Sequence, residues 1–424
     1  MTADVASGLI STTCSSDRVQ PIGQLAGSQP TQQKASAMGI PIPRTVQDVT
    51  TEWLNAALKP HLEGHFVQSS EAVPFSEPGQ TADIVEITLH YGSSNCALPD
   101  KMIAKLAATA PETREMCATF KLYERETGFY GSFPTKGLPI AKCFHADFDP
   151  ATLDMVILME HLAPSYSPGY AISVEQVRLA IQQAATLHSR WWNDDFLKRQ
   201  PALVQLDDPD HWRNTAAGAA SAFGSVRRIM GDECEASIAA MEAYSDNLEI
   251  VMNYLGRRPF ALQHSDFHAK QMFFPSDAGG RFAIIDWQFS VAGPAAWDIA
   301  RIINLGLKSE TRSEIEDALI NEYLELLKSH GVADYGRGEF LIDYKIGVMF
   351  TQLINFIAVA QTDTALLERE CAECGLDWKT VWLLRGERMI EGYGIAEFLR
   401  SLPATTGSKL SKSDAQPKGM SCET

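Results

Sequence analysis

The sequence has few positively charged residues, and this limits the partners that it could bind through general electrostatic attraction. The 424 residues include 36 Lys and Arg against 53 Asp and Glu, a formal net charge of −17 at pH 7. General electrostatic binding to nucleic acid or to an anionic membrane needs the opposite balance. We therefore expect neither nucleic acid nor a membrane as a general partner, although a local basic pocket could still hold a nucleotide.

Clustered cysteines and long apolar runs are also missing. The eight Cys are scattered, and Cys371 and Cys374 form a single CxxC that cannot complete a tetrahedral zinc site alone. The start, MTADVASGLISTT, lacks the basic and apolar regions of a signal peptide. The most apolar window, 346–360, is too short to span a bilayer and predicts a buried helix. These absences favour a cytoplasmic protein.

The pattern along the chain predicts two lobes between polar ends. Residues 1–42 and 403–424 have few large apolar side chains, which predicts disorder. Residues 43–160 show two strand patterns, a helical pattern and two more strands, and residues 161–402 are mainly helical. The predicted fold class is α+β: a small antiparallel β-sheet N-lobe with one helix and a larger, mainly helical C-lobe. The cleft between the lobes is the default ligand site.

Five residues in this pattern match the needs of phosphoryl transfer. That reaction requires a cation on the phosphates, a partner that holds this cation, a proton acceptor, and oxygen ligands for magnesium. Lys105 lies in the strand pattern DKMIAKLA, and Glu126 lies in the helical pattern that follows. Asp266 and Gln271 belong to HSDFHAKQMFF, and Asp286 ends the apolar run FAIID. Each residue alone is weak evidence, but the five together, in this order, predict a phosphotransferase.

The motifs that surround these residues resemble a known superfamily. HSDFHAKQMFF and IIDWQ, preceded by RETGFY and LAIQQAATLHSRWWN, resemble the aminoglycoside phosphotransferases and choline kinases. The greatest similarity is to the ecdysteroid-kinase-like (CHK kinase-like) branch, over roughly residues 45–400. The resemblance implies a bilobal, protein-kinase-like fold. It also implies ATP-dependent phosphorylation of a small-molecule hydroxyl, on a natural product or a sterol-like, amino-alcohol or aminoglycoside-like compound.

The resemblance also implies roles for residues of the nucleotide site. Lys105 would contact the α- and β-phosphates of ATP and pair with Glu126, for which Glu124 is the rival candidate. The hinge between the lobes would read adenine with its backbone groups. Its residues would be Met159, Glu160, His161 and Leu162.

Further roles follow for the catalytic loop. Asp266 would be the catalytic base, and Gln271 and Asp286 would hold Mg²⁺. Asp298, in PAAWDIARI, would brace the loop from behind, and His264 would be a packing residue of the loop rather than a proton carrier.

Three departures from the family pattern bear on these roles. Ser265 stands where a Gly is usual, and a positive φ at this position would strain it. Gln271 stands where Asn is usual; it keeps the amide oxygen but is one methylene longer. The candidate glycine loop, PFSEPGQTADIVEI, contains only Gly79.

Two alternatives to an active kinase stay open at this stage. The first is a pseudokinase that binds a nucleotide or small molecule with little or no turnover, which Gln271 and the poor glycine loop favour. The second is a metal-dependent hydrolase that uses His264, Asp266 and His268.

Overall fold

A five-stranded antiparallel sheet organises the N-terminal lobe in the computed structural model, which describes residues 40–75, 81–206 and 208–402. The strand order is β1-β2-β3-β5-β4, with bounds Val67–Pro74, Ala82–Tyr91, Lys101–Ala107, Asp154–Glu160 and Cys143–Asp149 in that order. Lys105 pairs with Ile84 of β2 and with Ile157 of β5. The lysine is therefore placed by the central strand of the sheet.

The two faces of this sheet belong to different hydrophobic cores, because side chains alternate along each strand. On one face Val85 and Ile87 pack with helix α1 (Thr51–Ala57), which begins after the N-cap Thr50. On the other face Ile157 joins the large core of the helical lobe. The lobes are thus connected through a shared core.

The N-lobe differs from the sequence-based expectation in two details. The sequence analysis did not predict the edge strand β1, because its sequence VQSSEAVP is mostly polar and small. The single expected helix is divided into α2 (Pro111–Thr119) and α3 (Leu122–Ser132). Lys121 separates them with a left-handed backbone (φ 55°), which no continuous α-helix contains.

The C-terminal lobe is mainly helical, as predicted, so the α+β fold class is confirmed. Helix α4 (Val174–Arg190) begins with a capping box between Ser173 and Gln176. The helices of this lobe, α4 to α14, are Val174–Arg190, Asp195–Lys198, Pro209–Met230, Glu235–Asp246, Leu248–Leu255, Ala296–Gly306, Ser309–Ser329, Arg337–Gln361, Thr364–Glu373, Arg385–Tyr393 and Ile395–Ser401. A π-helical turn, Thr380–Leu384, precedes α13.

Short strands of the C-terminal lobe flank the loops that contain Asp266 and Asp286. Strands β6 (Val204–Gln205), β7 (Ala261–Gln263) and β10 (Val291–Gly293) form a small sheet in the order β6-β10-β7. Strands β8 (Met272–Phe273) and β9 (Ala283–Ile284) form a two-stranded ribbon. The loop before β8 and the turn after β9 are therefore neighbours.

Helix α11 contains the apolar window noted in the sequence. Among the described helices it is the one whose length and hydropathy would also suit a membrane span. Within the fold, 78% of its apolar window is buried. Gln352 and Asn355, the polar residues of the window, are buried as well. The prediction of a buried helix is confirmed.

Candidate active site

Lys105 lies between two carboxylates that come from different parts of the chain. Its Nζ is 2.6 Å from Glu126 Oε2 and 2.6 Å from Asp286 Oδ1. Lys105 is 8% exposed and Glu126 only 1%, whereas the rival Glu124 is on the surface. Burial alone would lower the pKa of Lys105, but the two carboxylates outweigh it and raise the pKa above its ordinary value. Lys105 is thus a cation fixed between strand β3, helix α3 and the turn after β9.

Packing between α3 and the Asp-Trp-Gln turn holds these two carboxylates together. Trp287 stacks on Phe129 of α3, with ring centroids 4.4 Å apart and an interplanar angle of 3°. Glu126 lies one turn earlier on the same helix. Asp286 precedes Trp287 in a left-handed conformation (φ 67°), and its Oδ2 accepts a hydrogen bond from Gln288 Nε2 at 3.2 Å. Side-chain packing and hydrogen bonding within the chain therefore fix the site around Lys105.

Asp298 supports the His-x-Asp loop from the N-terminal turn of α9. Its carboxylate accepts hydrogen bonds from the backbone N–H groups of His264 and Ser265, each at 2.8 Å. His188, at the end of α4, lies 3.2 Å from the same carboxylate through Nε2. Ser265 has φ 65°, so the strain anticipated for a Ser at this position is present. The side chain of His264 turns away and donates from Nε2 to the carbonyl of Ile285 at 2.8 Å.

Asp266 is held by donors on both carboxylate oxygens. Arg301 donates to Oδ1 from Nε at 3.0 Å and from Nη2 at 2.6 Å. Gln271 Nε2 donates to Oδ2 at 3.0 Å, and His268 Nε2 lies 3.3 Å from Oδ1.

Two opposing effects set the ionisation of Asp266. Burial would raise the pKa of this carboxyl, but His268 and Arg301 outweigh burial and hold the pKa well below its usual range. Burial also lowers the pKa of His268, so that imidazole is neutral at pH 7. Arg301 is therefore the permanent cation beside Asp266, and the carboxylate stays ionised at neutral pH.

The residues predicted to hold magnesium lie side by side. The backbone N–H of Ile285 donates to the carbonyl of Gln271 at 3.0 Å, which places Gln271 next to Asp286 across the β8–β9 ribbon. Because Gln271 uses its amide nitrogen on Asp266, its amide oxygen is left for a metal. Within the described ranges no group of three His, Cys, Asp or Glu could hold a metal ion. Two oxygen ligands fit Mg²⁺, which takes its other ligands from phosphates and water.

The segment predicted to be the hinge, residues 159–162, starts in the last two residues of β5 and continues into the loop that follows. The carboxylate of Glu160 accepts a hydrogen bond from Arg281, which comes from the loop before β9. His161 Nδ1 accepts the backbone N–H of Ala163 at 3.1 Å. The carbonyl of Leu162 accepts the N–H of Ser165 at 2.9 Å, in the turn that enters the helical lobe. Because the Glu160 and His161 side chains have protein partners, nucleotide recognition here would depend on the backbone.

Arg301 and His188 are site residues that the sequence analysis missed. Arg301 lies on α9, where Ala296–Leu305 are all buried, and a cation on such a helix requires a buried anion nearby. That rule, applied to PAAWDIARI, would have pointed to Arg301. Gly79 of the candidate glycine loop lies outside the described residues, as do most of the two polar ends.

Comparisons with known proteins agree with this geometry. The sequence profile of the phosphotransferase enzyme family (APH) matches residues 111–341, which is more than half of the 424 residues. The chain belongs to this family.

A relative and several solved structures are similar to the chain. An uncharacterized kinase-like protein of Caenorhabditis elegans is 35% identical over 238 residues, which cover 52% of this chain and 60% of the relative. The chain thus spans about three fifths of that protein. A putative aminoglycoside phosphotransferase of Ralstonia eutropha has a TM-score of 0.47 and 13% identity, covering 80% of this chain and 98% of its own. Choline kinase of Streptococcus pneumoniae has a TM-score of 0.43 and 15% identity, covering 77% of this chain and 93% of its own.

Proposed function

We propose that the protein is an ATP-dependent phosphotransferase that phosphorylates a hydroxyl of a small molecule. The observation that carries the proposal is Lys105, held at 2.6 Å from both Glu126 and Asp286. A buried cation fixed between two acids at a cleft is the arrangement that cradles nucleotide phosphates in kinases. We also propose that the protein is cytoplasmic and that it belongs to the ecdysteroid-kinase-like branch, which the motifs HSDFHAKQMFF and IIDWQ support.

In this proposal each residue has a defined task. The acceptor oxygen attacks the γ-phosphorus of ATP, the bond from that phosphorus to the ADP oxygen breaks, and the hydroxyl proton passes to Asp266. Lys105 neutralises phosphate charge. Gln271 and Asp286 would hold Mg²⁺, which supplies further positive charge to the phosphates when bound.

The low pKa of Asp266 fits a loose transition state. A carboxylate held by Arg301 and Gln271 is a weak base toward a free alcohol, and it gains the proton only once the new phosphorus–oxygen bond has formed. Before that point its task is to orient the hydroxyl. Arg301 and Gln271 therefore act as positioning residues for Asp266.

Turnover on a panel of alcohols tests the proposal. Purified protein would be incubated with ATP, Mg²⁺ and amino-sugars, choline analogues, sterols or other natural-product alcohols, and the phosphorylated product and ADP would be measured. The reaction should be lost in Asp266→Ala and kept in Asp277→Ala, since Asp277 is an exposed acid on the loop between β8 and β9. Metal-dependent release of phosphate from esters without ATP would instead support a hydrolase.

A second candidate, a nucleotide-binding protein with little turnover, draws on one observation. Both oxygens of Asp266 already have protein partners, and Gln271 is one of them. This candidate predicts that ATP raises the melting temperature in the wild type but not in Lys105→Met, while no acceptor gives a product. Lys101→Met is the matched control, because Lys101 is exposed on the same strand.

A further inference from the structure

Arg385, at the start of α13, is a cation that the fold buries without a carboxylate partner among the described residues. It is 4% exposed, its Nη1 donates to the carbonyl of Leu305, and its Nε has no hydrogen-bond partner. Burial lowers the pKa of this guanidinium. Buried charges are stable in proteins when they are paired, so this position calls for an anion.

Arg385 lines a cavity of about 220 Å³ that also contains the start of α10. Ser309, the first residue of this 21-residue helix, has a buried hydroxyl without a partner. The first turn of a helix presents free backbone N–H groups and a partial positive charge. Lys308 and Arg388 lie at the rim of the cavity and are exposed. Three cations, a hydroxyl and a helix N-terminus therefore converge on one space.

The two acids that line the cavity are already engaged. Glu310 Oε1 lies 3.5 Å from Arg388 Nη1. Asp377 Oδ2 accepts the backbone N–H of Thr380 at 2.7 Å, which fixes the start of the π-helical turn. Among the residues that line the cavity, the buried side-chain groups without partners are the Arg385 Nε–H and the Ser309 hydroxyl. This arrangement disfavours a metal ion or an amine as the occupant.

We propose that this cavity is a binding site for a small oxyanion, a phosphate or a carboxylate group. Arg385 and Ser309 would contact its oxygens inside the cavity, and Lys308 and Arg388 would contribute charge at the rim. None of the lining residues belongs to the catalytic loop, so the site is additional to the one for the nucleotide phosphates. The proposal does not depend on kinase activity.

Thermal unfolding of the full chain in inorganic phosphate tests the proposal, with KCl added to keep the ionic strength constant. A ligand that binds only the folded state raises the melting temperature with a saturating concentration dependence. Phosphate should do this in the wild type and equally in Lys105→Met, which removes the phosphate contact of the nucleotide site. Glycerol phosphate and citrate, as parallel probes, distinguish a free phosphate from a monoester and from a carboxylate.

Variants show which residues are responsible for the rise in melting temperature with phosphate. Arg385→Leu should abolish the saturable response, and the double variant Lys308→Gln/Arg388→Gln should weaken binding about two- to fivefold for each rim charge. Arg400→Gln, an exposed cation on α14, should leave binding unchanged. If Arg385→Leu does not fold, the double variant decides. The proposal is wrong if none of the three probes gives a saturable response, or if the response survives in the double variant at wild-type affinity.

Discussion

Arg301 donates two hydrogen bonds to one oxygen of Asp266, at 2.6 and 3.0 Å, and so joins α9 to the His-x-Asp loop. Asp298, on the same helix, holds the loop backbone at His264 and Ser265. A single helix therefore fixes both the backbone of the loop and the side chain that it presents. This relationship makes α9 the element on which the geometry of Asp266 depends.

Loss of the Arg301 side chain should damage both stability and turnover. Arg301→Met leaves the shielded Asp266 carboxylate without its cation, which should cost about 3 kcal/mol in the free energy of unfolding. Urea unfolding measures this cost, and kcat should fall while the KM for ATP changes little. Arg312→Met is the control, because it breaks the similarly shielded pair with Glu316 (2.6 Å) but lies away from the loop. Equal kcat in the two variants would contradict the positioning role of Arg301.

The pH dependence should be governed by Glu126 rather than by Asp266. Burial, against the attraction of Lys105, raises the pKa of Glu126 above its ordinary 4.5. The ion pair with Lys105 therefore forms as pH rises through this raised pKa, and kcat/KM for ATP should rise with it, about tenfold per pH unit on the acid side. This rise of kcat/KM with pH should disappear in Glu126→Gln, whereas Glu124→Gln should keep it.

The contribution of Glu126 to the free energy of unfolding should fall over the pH range in which kcat/KM for ATP rises. The folded state binds a proton at Glu126 more tightly than the unfolded state does, so the stability that this group contributes is complete below pH 4.5. It is lost as pH rises through the raised pKa. Relative to Glu126→Gln, the wild type should therefore lose unfolding free energy as pH rises. A gain over this range would show that the pKa of Glu126 is lowered.

Ser265→Gly should stabilise the protein. The left-handed backbone at φ 65° strains any residue with a Cβ, and relief of that strain should add about 1 kcal/mol to the unfolding free energy. Ser221→Gly, at an exposed position within α6, should lower it instead by about 0.5 kcal/mol. Chemical denaturation measures both, and destabilisation by Ser265→Gly would mean that the Ser hydroxyl holds the loop.

Substitutions at Gln271 test its hydrogen bond to Asp266 and its proposed role as a ligand of Mg²⁺. Gln271→Asn keeps an amide and should preserve or improve the use of magnesium, whereas Gln271→Ala loses both the oxygen ligand and the hydrogen bond to Asp266. The Mg²⁺ concentration for half-maximal turnover should then rise about tenfold or more. Gln361→Ala, at the exposed end of α11, is the control. Unchanged metal dependence in Gln271→Ala would remove Gln271 from the metal site.

Local patterns predicted most of the fold and the individual acidic residues. The short apolar run around Lys105 predicted strand β3, and the helical pattern after it contained Glu126, which is buried in α3 whereas Glu124 is exposed. The edge strand β1 was missed, because an exposed strand needs few apolar residues. Arg301 was missed, because its partner lies 35 residues away, and only the folded chain shows that α9 passes behind Asp266.

The fate of the γ-phosphate of ATP tests the central claim most directly. Protein supplied with γ-labelled ATP, Mg²⁺ and the alcohol panel should move the label into a phosphate ester of one alcohol, and Asp266→Asn should abolish the transfer while Asp277→Asn keeps it. Label that stays in ATP for every alcohol, although ATP binds in a Lys105-dependent way, would contradict the claim of a working kinase.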